Sequence, residues 1–142
     1  GADHVINHRN PLDEEIAPLG LAPRYVASLT HTEKHIDAIA KLIKPRGHIA
    51  LIDDPQSLDI LPFKPKALSV SWEFMFTRSM FQTEDMQKQH ELLTALAKLI
   101  DQKKIKTTLG EHYGAINATN LKRAHKHLES NQAVGKIVLE GF

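Results

Sequence analysis

Two adjacent carboxylates, Asp53 and Asp54, follow a short apolar run and are candidates for acid–base chemistry or metal binding. Neighbouring side chains on an extended strand point to opposite faces, so these two carboxylates do not converge on one ligand atom. A solvated Asp-Asp-Pro turn is the alternative interpretation. The spacing of the pair therefore does not predict a catalytic centre.

Nine histidines raise the question of a metal site. His31 and His35 are spaced i, i+4, but His31 falls at the start of a helix, and His125 and His127 face different ways on another helix. The chain has no cysteine, and no carboxylates converge with these histidines to complete a tetrahedral set. We therefore expect no metal ligand in this segment, and we expect His125 at the edge of the apolar face of its helix.

The first half of the chain alternates short strands with a helix, and these elements position its candidate residues. Apolar runs predict strands at residues 5–6, 25–29 and 48–52. Thr30 and Glu33 have the spacing of a capping box, which predicts a helix start. The helix then carries one apolar stripe at i, i+3, i+4 and i+7, formed by Ile36, Ile39, Ala40 and Ile43.

A strand, a helix and a second strand in this order predict a parallel βαβ unit. In open parallel sheets, ligands bind beyond the carboxyl ends of the strands. Those ends carry His8 and Arg9 after the first run, Ser28 and Leu29 in the second, and Asp53 after the third. The fold class that follows is α/β, with part of a Rossmann-like parallel sheet and flanking helices.

The second half departs from this pattern. Residues 68–76 alternate between apolar and polar types, which predicts one long strand at a sheet edge. A helix is predicted over residues 84–101, and a strand, a helix and a terminal strand follow it. We divide the chain into residues 1–101 and a C-terminal return segment, residues 102–142.

Composition excludes several classes of function. The 18 basic and 17 acidic residues nearly balance, so no broad positive field favours a nucleic acid or membrane partner. No apolar run has the length of a membrane span. The absence of cysteine excludes disulfides, and a reducing cytoplasm is the expected location.

The chain opens at once into a strand-like run, from which we expect that it is a piece cut from a longer protein.

Five segments together resemble the medium-chain dehydrogenase/reductase superfamily, in its quinone oxidoreductase branch that is often labelled zinc-type alcohol dehydrogenase-like. They stand in the family's order and cover nearly the whole chain: Gly-Ala-Asp-His-Val-Ile-Asn at 1–7, Lys-Pro-x-Gly at 44–47, Ser-x-Ser-x-Glu-Phe-Met-Phe-Thr-Arg at 69–78, Ala-His-x-x-Leu-Glu-Ser at 124–130, and Gly-Lys-Ile-Val-Leu at 135–139. The resemblance implies the C-terminal portion of an NADPH- or NADH-dependent oxidoreductase. The longer parent would transfer hydride to a carbonyl, enone or quinone of a small-molecule substrate.

The resemblance implies cofactor-binding roles, none of them catalytic, for residues in the first half. His8 and Arg9 would approach the adenosine ribose, where the planar guanidinium of Arg9 suits a 2′-phosphate and favours NADPH. Ser28 and Leu29 would lie along the nicotinamide ribose. The alternatives are an exposed loop pair for His8 and Arg9, a structural role for Ser28, and helix capping for Thr30.

Further cofactor contacts are implied at Ile52, Asp53, Phe76 and Lys136. Ile52 and Asp53 would form a backbone turn beside the nicotinamide, and Phe76 would bring backbone to its carboxamide edge. Lys136 would lie near the pyrophosphate. Core packing is the alternative for Phe76, and an ordinary surface position is the alternative for Lys136.

The family also implies a homodimer that forms through the edge strand from Leu68 to Phe76, which the apolar alternation supports independently.

No Gly-x-Gly-x-x-Gly loop occurs in the chain, so the usual cradle for the pyrophosphate is missing. We expect the chain alone to bind dinucleotide poorly and to be inactive without its parent. The alternative function is a non-enzymatic association or dimerisation module. A free-standing mononucleotide binder fits less well, because the last forty or so residues are not expected to continue a βαβ alternation.

Overall fold

A computed structural model describes residues 2–141, and it divides into two compact units, residues 1–81 and 82–142. In the first unit the helices are α1 (Leu12–Ile16), α2 (Thr32–Leu42) and α3 (Thr77–Met80), and the strands are β1 (Tyr25–Ser28), β2 (His48–Leu51) and β3 (Ser69–Trp72). Short 3₁₀ segments lie at Ala17–Leu19 and Leu61–Lys66. The boundary predicted between residues 101 and 102 stays a prediction.

Strands β1, β2 and β3 form a parallel sheet in that order. Tyr25 pairs with His48, and Ser28 pairs with Leu51 at the other end. Leu51 in turn pairs with Trp72 on β3. The predicted α/β class with neighbouring, co-directional strands at residues 25–29 and 48–52 is therefore confirmed.

The core of the first unit lies between α2 and the sheet. The predicted apolar stripe of α2 is buried against Ile49 and Leu51 of β2 and against Phe63 of the second 3₁₀ segment. After α2 the chain becomes extended at Ile43, and the Lys66 ammonium donates to the carbonyls of Lys41 at 2.6 Å and Ile43 at 2.8 Å. Lys66 thus satisfies two carbonyls that the end of the helix leaves free.

Two strand predictions in the first unit are wrong. Residues 5–6 form no strand, and Val5 is 89% exposed, because no strand of residues 2–141 lies beside them to pair. The strand predicted over residues 68–76 ends at Trp72, where its partner β2 also ends. The Glu73 N–H still bonds to the Leu51 carbonyl at 2.7 Å, and the chain then turns into α3.

The second unit contains α4 (Gln87–Asp101), β4 (Leu109–His112), α5 (Ala118–Glu129) and β5 (Lys136–Val138). Strands β4 and β5 pair in parallel, so the predicted strand–helix–strand segment is itself a βαβ unit. The expectation that these residues would not continue a βαβ alternation is therefore wrong. The sequence did not predict this unit because its strands are short and because β4 contains a glycine and charged residues, which leave little apolar pattern. The Asn117 side chain begins α5 by accepting from the Asn120 N–H at 2.8 Å.

None of the helices within residues 2–141 combines the length and the apolar character needed to cross a bilayer.

Gly110 in β4 and Gly135 just before β5 lie close to the backbone of the opposite segment. A Cβ at Gly110 would collide with the carbonyl oxygen of Val134, and one at Gly135 would lie 2.6 Å from the carbonyl oxygen of Thr108. Both obstacles are backbone atoms, which cannot move aside without disturbing the strand pair.

Replacing Gly110 with alanine should therefore destabilise the β4–β5 pair. We expect a loss of about 2–3 kcal/mol, as for other overpacked sites. Hydrogen exchange of the Tyr113 and Lys136 amides, which bond across the two strands, measures the local effect. Gly20→Ala is the control, because its Cβ meets open space and only the left-handed φ of +65° is penalised, by about 1 kcal/mol. Unchanged exchange of the two amides in Gly110→Ala would contradict the prediction.

Candidate functional site

The carboxyl ends of β1 and β2 lie side by side because the two strands are parallel. The Ile52 N–H donates to the Ser28 carbonyl at 3.2 Å and continues the pairing one residue beyond β2. Asp53 follows directly. Parallel pairing thus brings Ser28, Ile52 and Asp53 together at the carboxyl end of the sheet, where ligands bind in open parallel sheets.

Asp53 is bound to the first turn of α2. Its carboxylate accepts the Thr32 N–H at 2.8 Å and the Thr32 hydroxyl at 2.5 Å. The Thr32 hydroxyl oxygen also lies 2.7 Å from the Ser28 hydroxyl oxygen. Thr32 is fully buried, Ser28 is 8% exposed and Asp53 is partly exposed, so the middle of this polar chain is shielded from water and its two ends are not.

The capping box predicted from Thr30 and Glu33 is wrong. His31 occupies the N-cap position with φ 51° and ψ 38° and gives no side-chain cap bond. Asp53, which is 21 residues away from Thr32 in sequence, supplies the acceptor for the first turn. A carboxylate that accepts two bonds satisfies the helix start better than one local hydroxyl could.

These bonds lower the pKa of Asp53 below its ordinary value of 3.8. The Thr32 hydroxyl is the largest cause, and the Thr32 backbone N–H comes next, because both favour the ionised carboxylate. Partial burial opposes the shift, and the nearby His31 adds a smaller lowering effect. Asp53 therefore carries its negative charge throughout the neutral range.

A cleft of about 450 Å³ lies along β1 and α2 and includes the carboxyl end of β1. It brings together three predicted site residues, His8, Ser28 and Leu29. The other residues around it are Leu12, Ile16, Pro23, Val26, Ala27, Thr30, His31, His35, Ile39 and Leu42. Its wall is mostly apolar. A larger cleft of about 500 Å³ lies beside β3, away from these strand ends.

The remaining predicted residues do not line this cleft. Arg9 is exposed, and its N–H donates to the Asn7 side chain at 3.1 Å. Ile52 is 51% exposed. Phe76 is 52% exposed, and its ring meets that of Phe74 edge to face at 5.4 Å.

Lys136 lies in the second unit, where it begins β5 with an exposed side chain.

Sequence reasoning missed Thr32, the residue that joins Asp53 to Ser28. The i, i+4 spacing of Ser28 and Thr32 is present in the sequence, but it does not predict that a carboxylate beyond another strand bonds to Thr32. His31 and His35 were considered only as metal ligands, and both lie around the cleft.

His127, not His125, is the partly buried histidine of α5. His125 is exposed, and its expected place at the edge of the apolar face stays a prediction. The His127 Nδ1 lies 2.8 Å from the Tyr113 hydroxyl and 3.5 Å from a Glu111 carboxylate oxygen. The Arg123 guanidinium stacks on the Tyr113 ring at 3.9 Å. These contacts tie α5 to β4.

Comparison with known proteins identifies the family. A family model described as zinc-binding dehydrogenase matches residues 1–139. The chain belongs to the zinc-binding dehydrogenase family. It is 34% identical over 142 residues to a zinc-type alcohol dehydrogenase-like protein of Staphylococcus aureus (strain COL), a match that covers 98% of this chain and 42% of that protein.

Solved structures agree with this assignment to the zinc-binding dehydrogenases. A protein of Rhizobium etli CFN 42 described as a zinc-dependent alcohol dehydrogenase superposes with a TM-score of 0.91 and 52% identity, over all of this chain and 42% of its own. A mycobacterial protein complexed with NADPH shares the fold, with a TM-score of 0.73 and 21% identity over 99% of this chain and 43% of its own. The chain thus spans about two fifths of the length of the relatives it matches.

The family name raises the question of zinc. Within residues 2–141, no group of three or more histidine, aspartate or glutamate side chains is placed to hold a metal ion. We therefore assign no zinc ligand among the described residues of this member of the family.

Replacing Asp53 with asparagine should remove a pH-dependent part of the stability. Because the pKa of Asp53 is lower in the folded chain than its ordinary 3.8, the ionised carboxylate stabilises the fold fully above pH 3.8. This contribution is lost as the pH falls through the folded-state pKa. At neutral pH we expect Asp53→Asn to lower the free energy of unfolding by about 1 kcal/mol, the usual effect of losing a helix cap.

Urea denaturation at neutral pH and at a pH well below 3.8 measures the difference, which should shrink in acid. Asp54→Asn is the matched control, because Asp54 is exposed, and it should change the stability by less than about 0.5 kcal/mol. An Asp53→Asn effect of equal size at both pH values would refute the assignment.

Proposed function

We propose that this chain is the C-terminal portion of an NADPH- or NADH-dependent oxidoreductase, and that the cleft beside β1 receives part of the dinucleotide. The observation that carries the proposal is this cleft at the carboxyl end of a parallel strand, lined by His8, Ser28 and Leu29. Membership of the zinc-binding dehydrogenase family and the NADPH complex of a mycobacterial protein of the same fold support it.

The bound cofactor would supply hydride to a carbonyl, enone or quinone of a small molecule. The chain's own residues would orient the cofactor and keep water away from it. Ser28 and Leu29 would lie along the nicotinamide ribose, and the backbone at Ile52 and Asp53 would border the nicotinamide ring. The Asp53 side chain is bonded to Thr32 through both carboxylate oxygens, and it would act on the cofactor site through that contact.

The outer residues would hold the rest of the dinucleotide. His8 and Arg9 would lie near the adenosine ribose, where the exposed guanidinium of Arg9 is free to form a paired contact with a 2′-phosphate. The Phe76 backbone would approach the carboxamide edge, and Lys136 would approach the pyrophosphate. We assign none of these residues a catalytic proton transfer.

Cofactor titration tests the proposal. We expect the full-length protein to bind a nicotinamide dinucleotide and the 142-residue chain to bind it weakly or not at all, because the chain has no glycine-rich phosphate loop. Nicotinamide fluorescence measures both. Tight binding by the chain alone would show that the phosphate loop is unnecessary. A full-length protein that binds neither NADH nor NADPH would favour the alternative, a non-enzymatic association module.

Arg9 should determine the preference for NADPH. Loss of a charge-assisted contact to the 2′-phosphate predicts that Arg9→Ala raises the Kd of NADPH about tenfold and leaves that of NADH unchanged. Arg24→Ala is the matched control, because Arg24 precedes β1 at the opposite end of the strand. Equal weakening of both cofactors would remove the assignment of Arg9 to the phosphate.

We also propose that two copies pair through β3. Ser69 and Glu73 direct their N–H groups to β2, with bonds to Gly47 and Leu51 at 3.0 and 2.7 Å. The backbone N–H groups of successive residues in a strand point alternately to its two neighbours. Those of Val70 and Trp72 therefore point away from β2, to the open edge. Trp72 is 58% exposed, which supports a contact there. An open edge of this kind is suited to pairing with its own copy.

Trp72→Pro should convert the dimer to a monomer in sedimentation experiments on the full-length protein. Proline removes the outward N–H but no bond between β2 and β3. Trp72→Thr is the control, since it removes the ring but keeps the N–H, and we expect it to weaken association less. A monomeric wild type, or a dimeric Trp72→Pro variant, would refute pairing through β3.

A further inference from the structure

The side chains of Asp53, Thr32 and Ser28 form a hydrogen-bonded chain whose direction is fixed by charge. An ionised carboxylate can only accept, so the Thr32 hydroxyl donates its single proton to Asp53. The Thr32 oxygen, 2.7 Å from that of Ser28, must then accept the Ser28 proton. The negative charge of Asp53 therefore sets the orientation of a hydroxyl in a neighbouring strand.

Ser28 is the end of this chain that lies at the cleft. Because its proton is used toward Thr32, only the lone pairs of its oxygen remain for a ligand. A ligand group beside Ser28 must therefore be a hydrogen-bond donor, such as a sugar hydroxyl or an amide N–H. A carboxylate or phosphate oxygen would face lone pairs at this point and would be disfavoured.

Position relative to the cleft separates the residue that can touch a ligand from those that act through it, because Ser28 lines the cleft and Thr32 and Asp53 do not. Thr32 has no exposed surface, so it cannot contact anything in the cleft. Asp53 is half-buried, and both of its oxygens are bound to Thr32. The side chains of these two residues would therefore affect ligand binding through Ser28 or through the packing of α2.

We infer that Asp53 and Thr32 are positioning residues that hold the Ser28 hydroxyl as an acceptor for a donor group of the cofactor. This inference rests on the proposed function, and the nicotinamide ribose hydroxyls are the donors that it would select. It gives the charged Asp53 carboxylate at the strand end a role, which is to orient Ser28 through Thr32.

A double-mutant cycle in the full-length protein tests the inference, with the Kd of NADH or NADPH measured by nicotinamide fluorescence. Ser28→Ala removes the acceptor and should raise the Kd about 2- to 10-fold, the effect of one hydrogen bond. Thr32→Val keeps the shape but releases the Ser28 proton, and it should raise the Kd by a similar factor. The double variant should bind no more weakly than Ser28→Ala alone.

Thr32→Ser is the conservative control, because it keeps the hydroxyl, and its Kd should stay within about twofold of the wild type. General loosening of α2 would instead make the effects of Thr32→Val and Ser28→Ala multiply. Such independent effects, or a normal Kd in Ser28→Ala, would overturn this inference while dinucleotide binding by the wild type upholds the proposed function. A wild type that binds neither cofactor would overturn both.

Discussion

The bond between the Asp53 carboxylate and Thr32 is the interaction on which the candidate site depends. It joins the end of β2 to the start of α2, and Thr32 extends it to the end of β1. Parallel pairing brings the ends of these elements together at the carboxyl end of the sheet, but pairing alone does not fix the side chains there. The carboxylate fixes them, because it satisfies a helix N–H and a buried hydroxyl at once.

Much of the first unit could be predicted from local pattern. The apolar stripe of α2 identified the helix face that packs on the sheet, since residues at i, i+3, i+4 and i+7 share one side. The apolar run at residues 49–52 identified the central strand, which pairs with β1 on one side and with β3 on the other. Each of these two patterns lies within a single helix or strand, so it can be recognised without knowing which element packs against it.

The errors have the opposite origin, because each concerns a partner that local pattern does not specify. Apolar residues 5–6 have a strand-like composition but no neighbouring strand within the described chain, and alternation beyond Trp72 continues after β2 has ended. The same reasoning accounts for Thr32. Its role depends on a carboxylate 21 residues away, whereas Thr30 and Glu33 offered a plausible cap nearby. The strand ends of the site were predictable, but the network that orders them was not.

The close approach of Gly110 and Gly135 has a consequence for how the second unit assembles. Strands as short as β4 and β5 offer few bonds with which to distinguish the native alignment from one shifted along the chain. A shift would replace a glycine with Leu109 or Glu111 at the point where only a hydrogen fits against the opposing backbone. The glycine pair thus favours the native register by making a shifted one sterically costly.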